Sequence, residues 1–212
     1  MPSGRHGIPH EVVVRTQRER LLEAMVRVAA ERGYEAATVA AVIEIAGVSR
    51  TTFYEMFEDK DDCFLAAYDA VFDVLIHQVE AAYRETAGPW PGRVHNALAA
   101  LVELMAAEAD VARMAMVEVT AAGPVARQRY RDALLRFTPF LDEGRGFSEH
   151  AAMLPATTSR LAIGAAATLL FDEIRAGRGT DLDQLLPDLV FAVLMPFIGP
   201  EAAAREMRIA VA

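Results

Sequence analysis

The sequence predicts an all-α chain in which an N-terminal three-helix domain with a helix-turn-helix precedes a larger helical domain, with about nine helices in total. Apolar residues recur at intervals of three and four along most of the chain, and no segment has the alternation of a half-buried strand. The stretch from Thr38 to Lys60 reads as two short helices joined by a tight turn. With 212 residues, of which 53% are hydrophobic, the chain can bury a substantial core.

Residues 1–15 are predicted to form a flexible N-terminal arm, because two prolines and two glycines interrupt regular structure there. The arm lacks the apolar run of a signal peptide, so export is not expected. No later run of about eighteen uninterrupted apolar residues occurs, so we predict no membrane-spanning segment and no membrane partner. The single Cys63 fits a reducing compartment, and the predicted location is cytoplasmic.

A helix-turn-helix is predicted within residues 16–62. Thr38 can cap the second helix, Gly47 supplies the backbone freedom needed where that helix ends, and Ser49 can cap the third helix. In the third helix Phe53 and Phe57 lie four residues apart and are expected to face inward. Small polar groups, an arginine and a tyrosine then form the exposed arc: Arg50, Thr51, Thr52 and Tyr54. Such an arc on a short helix suits the major groove of DNA.

This part of the sequence resembles the DNA-binding domain of the TetR family of one-component repressors. The resemblance lies in an apolar first helix that ends in Gly33-Tyr34, in the turn Ala46-Gly47-Val48-Ser49, and in the run from Phe53 to Lys60. It implies that residues 16–62 are a DNA-binding domain whose partner is a double-stranded DNA operator. It also implies that residues 63–212 are a ligand-binding and dimerisation domain.

Carried over by position, the resemblance implies roles for individual side chains. Phosphate contacts are implied for Thr38, Tyr54 and Lys60, and base-edge contacts for Arg50, Thr51 and Thr52, beside the capping residue Ser49. Lys60 is the only lysine in the chain, and its alternative interpretation is a solvated surface charge between two aspartates.

The net charge of −9 argues against DNA binding, and residues 1–62 are themselves formally negative. The positions of the charges count for more than their sum, because several arginines cluster near the N-terminus: Arg5, Arg15, Arg18 and Arg20. We therefore predict weak and salt-sensitive non-specific binding.

Beyond Lys60 the helical pattern continues. An apolar stripe from Phe64 to Ala82 predicts one long helix that links the two domains, and the segment from Gly88 to Gly92 ends it. Further helices are predicted at 93–107, 111–120, 125–141, 157–176 and 182–198, with a glycine-containing loop around Gly144 and Gly146.

The last two helices are predicted to form the dimer interface, because they offer more apolar surface than a monomer of this size easily buries. The interface residues that we expect are Leu161, Ala165, Leu169, Leu189 and Val193. Packing inside the chain's own core is the alternative. The family resemblance implies a four-helix bundle between two copies, which would set two recognition helices roughly 34–36 Å apart on a palindromic operator.

Aromatic and methionine side chains of the middle helices are candidates for an effector pocket, since they adapt to irregular apolar ligands. The predicted contacts are Trp90, Met105, Met114, Phe137 and His95, with Arg113 and Glu118 as further polar anchors. Ordinary core packing is the alternative for each. The resemblance implies that a small apolar or amphipathic effector moves the fourth helix and spoils the spacing of the two recognition helices.

An enzyme is not predicted, because the sequence lacks a P-loop, a dinucleotide-binding glycine pattern, a zinc-protease motif and a nucleophile elbow. We expect no catalytic residue, no cofactor and no metal site. The predicted function is a ligand-responsive transcriptional regulator, by family default a repressor, that acts as a homodimer. The alternative is a helical protein-interaction module that has lost specific DNA binding, which the acidic balance and departures from the family pattern at Thr51 and Met56 favour.

Overall fold

The computed structural model describes residues 10–209, and all the regular structure in this range is helical. The N-terminal domain consists of α1 His10–Arg32, α2 Val39–Ala46 and α3 Arg50–Met56. α1 packs against α2 and against the long α4, Lys60–Glu85, which continues into the second domain. The predicted all-α fold with an N-terminal helix-turn-helix domain is confirmed.

The predicted arm is partly helical. α1 begins at His10, so residues 10–15 form its first turns, because the segment from His10 to Arg32 contains neither glycine nor proline to interrupt a helix. Residues 1–9, including Arg5, lie outside the described residues.

The second domain is built from the other half of α4 and a series of shorter helices around it. These helices are α5 Trp90–Ala107, α6 Ala109–Arg113, α7 Val119–Ala121, α8 Gly123–Leu135, α9 Thr138–Asp142, α10 Thr158–Arg175 and α11 Leu186–Ile209. A π-helical turn, Met114–Glu118, joins α6 to α7. Three 3₁₀ segments complete the described residues: Glu143–Phe147, Ala151–Met153 and Gly179–Leu185. If α6, the π-helical turn and α7 are counted as one helix and the single turn α9 is left out, the described range contains nine helices, as the sequence predicts.

Prolines and glycines explain where helix ends differ from expectation. α5 begins at Trp90 rather than at residue 93, because Pro91 in the first turn of a helix costs no hydrogen bond. The predicted helix at 125–141 is divided into α8 and α9, and Pro139 lies in the first turn of α9. α11 is interrupted at Gly199, which has φ 77°, one residue after the predicted end of the last helix.

The buried side chains form one continuous apolar core that runs from α1 through α4 to α11. Trp90, Tyr68 and Phe53 are among its largest fully buried members. α5 packs along α4 and α11, and α10 packs along α11, so the core of the second domain lies between these four helices.

One stretch, Gly179–Arg208, is long and apolar enough to cross a membrane on length and composition alone, which the sequence pattern had not predicted. A core helix of a folded domain passes the same test. In this stretch 33% of the most apolar window is buried inside the chain, and Leu189, Val190 and Leu194 on α11 are fully buried, so burial in the core accounts for part of the apolar composition.

Candidate nucleic-acid interface and effector cavity

The two short helices of the helix-turn-helix are capped as the sequence predicts. Thr38 Oγ1 accepts the backbone N–H of Ala41 at 3.2 Å, and Ser49 Oγ accepts the backbone N–H of Thr52 at 3.0 Å. Between the helices Gly47 has φ 62°, a left-handed conformation that favours glycine. The caps and the turn therefore determine how α3 sits on α2.

α3 has one buried and one exposed side. Phe53 and Phe57 are buried in the core, with ring centroids 5.6 Å apart. Arg50, Thr51 and Tyr54 are exposed on the opposite side, where they could reach DNA. Thr52 is half-buried, and its hydroxyl pairs with that of Ser49 at 2.9 Å, so these two side chains bond to each other at the start of α3.

Two arginines of α1 reach the helix-turn-helix. Arg18 lies over the ring of Phe57 at 5.4 Å from its centroid. A Cβ atom placed on Gly47 would lie 2.6 Å from Nη2 of Arg20, so this guanidinium lies directly against the turn. Arg15, by contrast, is 3.8 Å from Glu19 on the same helix. The chain therefore places positive charge beside α3 although its overall charge is negative.

Lys60 is bound within the protein rather than extended into solvent. Its Nζ donates to the carbonyl oxygen of Tyr34 at 3.1 Å and lies 4.1 Å from the centroid of the Tyr34 ring. The Tyr34 hydroxyl donates to Asp61, and its hydrogen atom is held there, since burial and this carboxylate raise the pKa of Tyr34. The first turn of α4 is thus tied to the segment between α1 and α2.

The second domain contains an apolar cavity of about 90 Å³. Its walls come from α4, α5, the π-helical turn, α8, α9, α10 and α11. Among the described residues that line the cavity, the polar side chains are two tyrosines, Tyr83 and Tyr130, and burial raises the pKa of both. A second, more open pocket between α8 and α10 shares Tyr130, Leu134 and Ala167 with the first. The cavity therefore suits an apolar ligand with a route outward past Tyr130.

Some of the predicted ligand contacts line this cavity and others do not. Met105 and Phe137 line it, whereas the lining found among residues 10–209 does not include Trp90, Met114 or His95. Trp90 is fully buried, its Nε1 donates to the carbonyl oxygen of Phe140 at 2.7 Å, and its ring packs on Phe147 and Phe197. Met114 is also fully buried in the core, and His95 lies half-exposed on α5. Most of the lining consists of aliphatic residues with no distinctive sequence signal, such as Leu75, Val79 and Ile163.

A polar cluster borders the cavity at Tyr83. The Tyr83 hydroxyl donates to Oε2 of Glu143 at 2.5 Å, and Nη1 of Arg93 donates to Oε1 of the same carboxylate at 2.6 Å. These two donors, the tyrosine first, lower the pKa of Glu143. The cluster links α4, α5 and the segment after α9 through one carboxylate.

The predicted dimer interface is only partly exposed. On α10 the side chains of Leu161, Ala165 and Leu169 lie at the surface, and Leu161 is 68% exposed. On α11 the prediction is wrong for Leu189 and Val193, which are 0% and 3% exposed because they face α5 and α10 in the chain's own core. Of the α11 side chains whose exposure is described, the exposed large apolar one is Met195 instead. The side of a helix that is available to a partner cannot be read from its apolar pattern when both sides are apolar.

Two further observations concern the cysteine and the possible metal ligands of the described range. Cys63 is buried between α1 and α4, and burial followed by the nearby Asp62 raises the pKa of its thiol to about 12. Within residues 10–209, no group of three or more histidine, cysteine, aspartate or glutamate side chains could hold a metal ion.

Residues 21–67 match the family model of bacterial regulatory proteins of the tetR family. No curated protein sequence matches the chain significantly. Among solved structures, the fatty acid degradation regulator FadR from Bacillus halodurans superposes with a TM-score of 0.72 at 19% identity, covering 92% of this chain and 97% of that one. The transcriptional regulator FadR from Bacillus subtilis, solved in complex with stearoyl-CoA, gives 0.72 at 20% identity, covering 84% and 98%. SCO4454, a TetR-family regulator from Streptomyces coelicolor, gives 0.64 at 21% identity, covering 95% and 97%.

The matched range contains the end of α1, both helices of the capped helix-turn-helix and the start of α4. The structural likeness extends over both domains, and the neighbours are described as regulators rather than as enzymes. This chain therefore contains a segment that matches the tetR family of bacterial regulatory proteins, and it shares its overall fold with these solved regulators.

Proposed function

We propose that the protein is a ligand-responsive transcriptional repressor of the cytoplasm that binds a palindromic operator as a homodimer and is released by a small apolar or amphipathic effector. The observation that carries the proposal is the shared use of α4. Its first residue, Lys60, is bonded to the DNA-binding domain, while Phe72, Leu75 and Val79 further along the same helix line the cavity. A ligand that moves α4 therefore moves the domain that carries α3.

DNA contacts are assigned from the exposed side of α3. Arg50 is the candidate for guanine readout, because a guanidinium can donate two hydrogen bonds to the O6 and N7 atoms of guanine. Thr51 is exposed beside it. Thr38, Tyr54 and Lys60 contact phosphates, with Lys60 keeping or exchanging its bond to Tyr34. Ser49 and Thr52 hold the start of α3 and contribute to DNA binding through its orientation.

The effector is assigned to a class by the cavity lining. Apolar side chains from seven segments surround the space, and they require no polar group in the part of the ligand that they enclose. A fatty acyl chain meets this requirement, but a space of about 90 Å³ is smaller than the roughly 150 Å³ that holds one benzene molecule, so the helices around the cavity must move apart to admit such a chain. A structural neighbour, FadR from Bacillus subtilis, was solved with stearoyl-CoA. The more open pocket beyond Tyr130 would receive the polar end of such a ligand.

The homodimer is assigned to the exposed side of α10 and α11. Leu161, Ala165 and Leu169 on α10 and Met195 on α11 are accessible to a second copy. Pairing these two helices with their equivalents gives a four-helix interface and a two-fold axis, and an operator read by such a dimer has matching half-sites.

The test is binding of the purified protein to the DNA upstream of its own gene, titrated at several salt concentrations. A duplex of unrelated sequence and a triple variant, Arg50→Ala with Tyr54→Ala and Lys60→Ala, are the controls. We expect saturable binding to the upstream duplex that weakens with salt and that the triple variant loses. Circular dichroism of the variant ensures that lost binding does not reflect lost structure.

With an operator in hand, stearoyl-CoA and stearate test the effector class by release of the labelled duplex. Release by either compound supports an acyl ligand, and release by stearoyl-CoA alone places the coenzyme in the recognition. If the upstream duplex is not bound specifically, the same assay is extended to fragments of the whole genome. If none of these fragments is bound specifically either, the regulator proposal fails, and the alternative of a protein-interaction module is favoured.

A further inference from the structure

A buried carboxylate connects the two domains. Glu118 is 4% exposed and is the last residue of the π-helical turn in the second domain. Its Oε2 accepts the backbone N–H of Tyr34, 84 residues earlier in the chain, at 2.8 Å. Its Oε1 pairs with Nη2 of Arg113 at 2.9 Å. A carboxylate is expensive to bury unless its oxygens are paired, so this arrangement specifies where Glu118 must lie.

Tyr34, which donates to Glu118, also contacts the start of α4. Its carbonyl oxygen accepts from Lys60, its hydroxyl donates to Asp61, and its ring packs edge-on against Phe64 at a centroid distance of 4.8 Å. The same residue follows Gly33, where α1 has ended, and precedes Thr38, where α2 is capped. Tyr34 therefore stands between the π-helical turn on one side and the helix-turn-helix with the first turn of α4 on the other.

The π-helical turn also touches the effector cavity. Ala115 and Met116, two residues of the turn, are part of the cavity lining, and Glu118 follows within the same turn. A π-helical turn inserts one extra residue into a helix and has the α-helical register as its alternative, so it is an element with two discrete arrangements. Conversion between them would rotate Glu118 relative to Tyr34.

We propose that Glu118 is the coupling residue between the effector cavity and the DNA-binding domain. A ligand in the cavity presses on Ala115 and Met116, the π-helical turn changes register, and the bond from Tyr34 to Glu118 is lost. The first turn of α4 and the segment leading to α2 are then released together. The proposal deepens the regulatory function proposed above and depends on the cavity being the effector site.

The test replaces the ligand by a larger side chain that fills part of the cavity, so it needs neither an effector nor an operator. Met116→Trp enlarges a side chain of the π-helical turn into the cavity, and amide hydrogen exchange is followed by mass spectrometry on peptides that contain Tyr34 and Asp61. We expect the substitution to speed exchange of both peptides by about fivefold or more, in the range of typical allosteric coupling. The control is Val125→Trp, which adds the same side chain at a 60% exposed valine of α8 outside the cavity and should leave exchange of both peptides unchanged.

The coupling itself is measured by repeating the Met116→Trp substitution in a Glu118→Ala background. We expect the added tryptophan to change exchange of the Tyr34 and Asp61 peptides by less than about twofold there, because the link is already cut. Glu108→Ala, which removes an exposed carboxylate just before α6, should leave the response at its full size. If Glu118→Ala does not fold, Glu118→Leu fills similar space without an acceptor for the Tyr34 N–H and should reduce the response by at least about half.

The inference is overturned if Met116→Trp leaves the Tyr34 peptide unchanged, or if it changes that peptide equally with and without Glu118. Operator binding by the same wild-type preparation is measured separately. A failure there would remove the proposed repressor function, while the exchange result would still decide whether Glu118 couples the domains.

Discussion

The guanidinium of Arg50 lies over the ring of Tyr54, 5.6 Å from its centroid, and donates to the tyrosine hydroxyl at 3.4 Å. The two side chains lie one helical turn apart on the exposed side of α3, and Tyr54 is 48% exposed. Stacking restricts the arginine before DNA arrives, so less conformational freedom is lost when it binds a base. The Arg50 side chain is therefore already ordered for contact with a base on the exposed side of α3.

Arg50→Ala should remove about 1–3 kcal/mol of specific binding and relax the preference at one base position, because a bidentate contact with guanine is lost. Fluorescence anisotropy with the operator and with single-base variants of it measures both effects. Arg205→Ala, which removes an exposed arginine from α11, is the control and should change neither. An equal loss on operator and unrelated DNA would mean that Arg50 contacts a phosphate instead.

Gly144→Ala should destabilise the second domain by about 1–3 kcal/mol, the usual cost of overpacking a core. A Cβ atom at this position would collide with the six-membered ring of the fully buried Trp90. The backbone of Gly144 is not in the left-handed region, so the effect is one of space alone. Gly146→Ala is a matched control, because a Cβ atom there meets nothing within 4 Å. Urea unfolding of both variants measures the difference, and equal stability would show that Trp90 can move aside.

Short-range signals predict the N-terminal domain well, because its caps and its turn are made by residues close in sequence. Thr38 and Ser49 each accept a backbone N–H three residues ahead, and Gly47 adopts the left-handed conformation in the turn between the two helices. The second domain depends on which side of each helix faces inward. Leu161 and Leu189 both lie in apolar helices, so the sequence does not distinguish their environments. The packing of the helices exposes Leu161 and buries Leu189. The sequence predicts Glu118 as a polar ligand anchor instead, because no local pattern indicates a partner that lies 84 residues away.

Replacing both Leu161 and Leu169 by arginine should convert a dimer into a monomer without unfolding it. Both side chains are exposed in the chain, so two charges at these positions cost nothing in the monomer core but would be desolvated without partners in an α10 interface. Analytical ultracentrifugation gives the molecular mass directly. Val74→Arg, which adds a charge at a 56% exposed valine of α4, is the control and should leave the dimer intact. A dimer that survives the double variant must use another surface.

The carboxylate of Glu143 should make stability depend on pH below its ordinary titration range. The Tyr83 hydroxyl and then Arg93 lower the pKa of Glu143 in the folded chain. The carboxylate of Glu143 is therefore harder to protonate in the folded chain than in the unfolded chain. The resulting stabilisation is fully present above the ordinary value of 4.5 and is lost as the pH falls through the lowered folded pKa. Glu143→Gln should therefore be less stable than wild type near neutral pH, and the difference should shrink on acidification.

Thermal unfolding at a series of pH values between about 3 and 7 measures this linkage. Glu149→Gln, which changes an exposed carboxylate in the following loop, is the control and should track wild type throughout. A constant difference between Glu143→Gln and wild type over the whole range would contradict the linkage and leave only a change in packing.

Cys63 should resist thiol reagents in the native protein and react readily once α1 and α4 separate. It is fully buried, and burial raises the pKa of its thiol from 9.0 to about 12, which lowers the fraction of reactive thiolate on the order of a thousandfold at neutral pH. Because it is the only cysteine in the chain, labelling with a chromogenic disulfide reports on this one position. We expect native labelling to be slower than labelling in guanidinium chloride by a factor on the order of a thousand, because the thiol is both buried and harder to ionise. Operator DNA should slow it further by stabilising the folded domain. Native labelling as fast as that of the unfolded chain would mean that the contact between α1 and α4, through which the cavity is joined to the recognition helix, opens freely in solution.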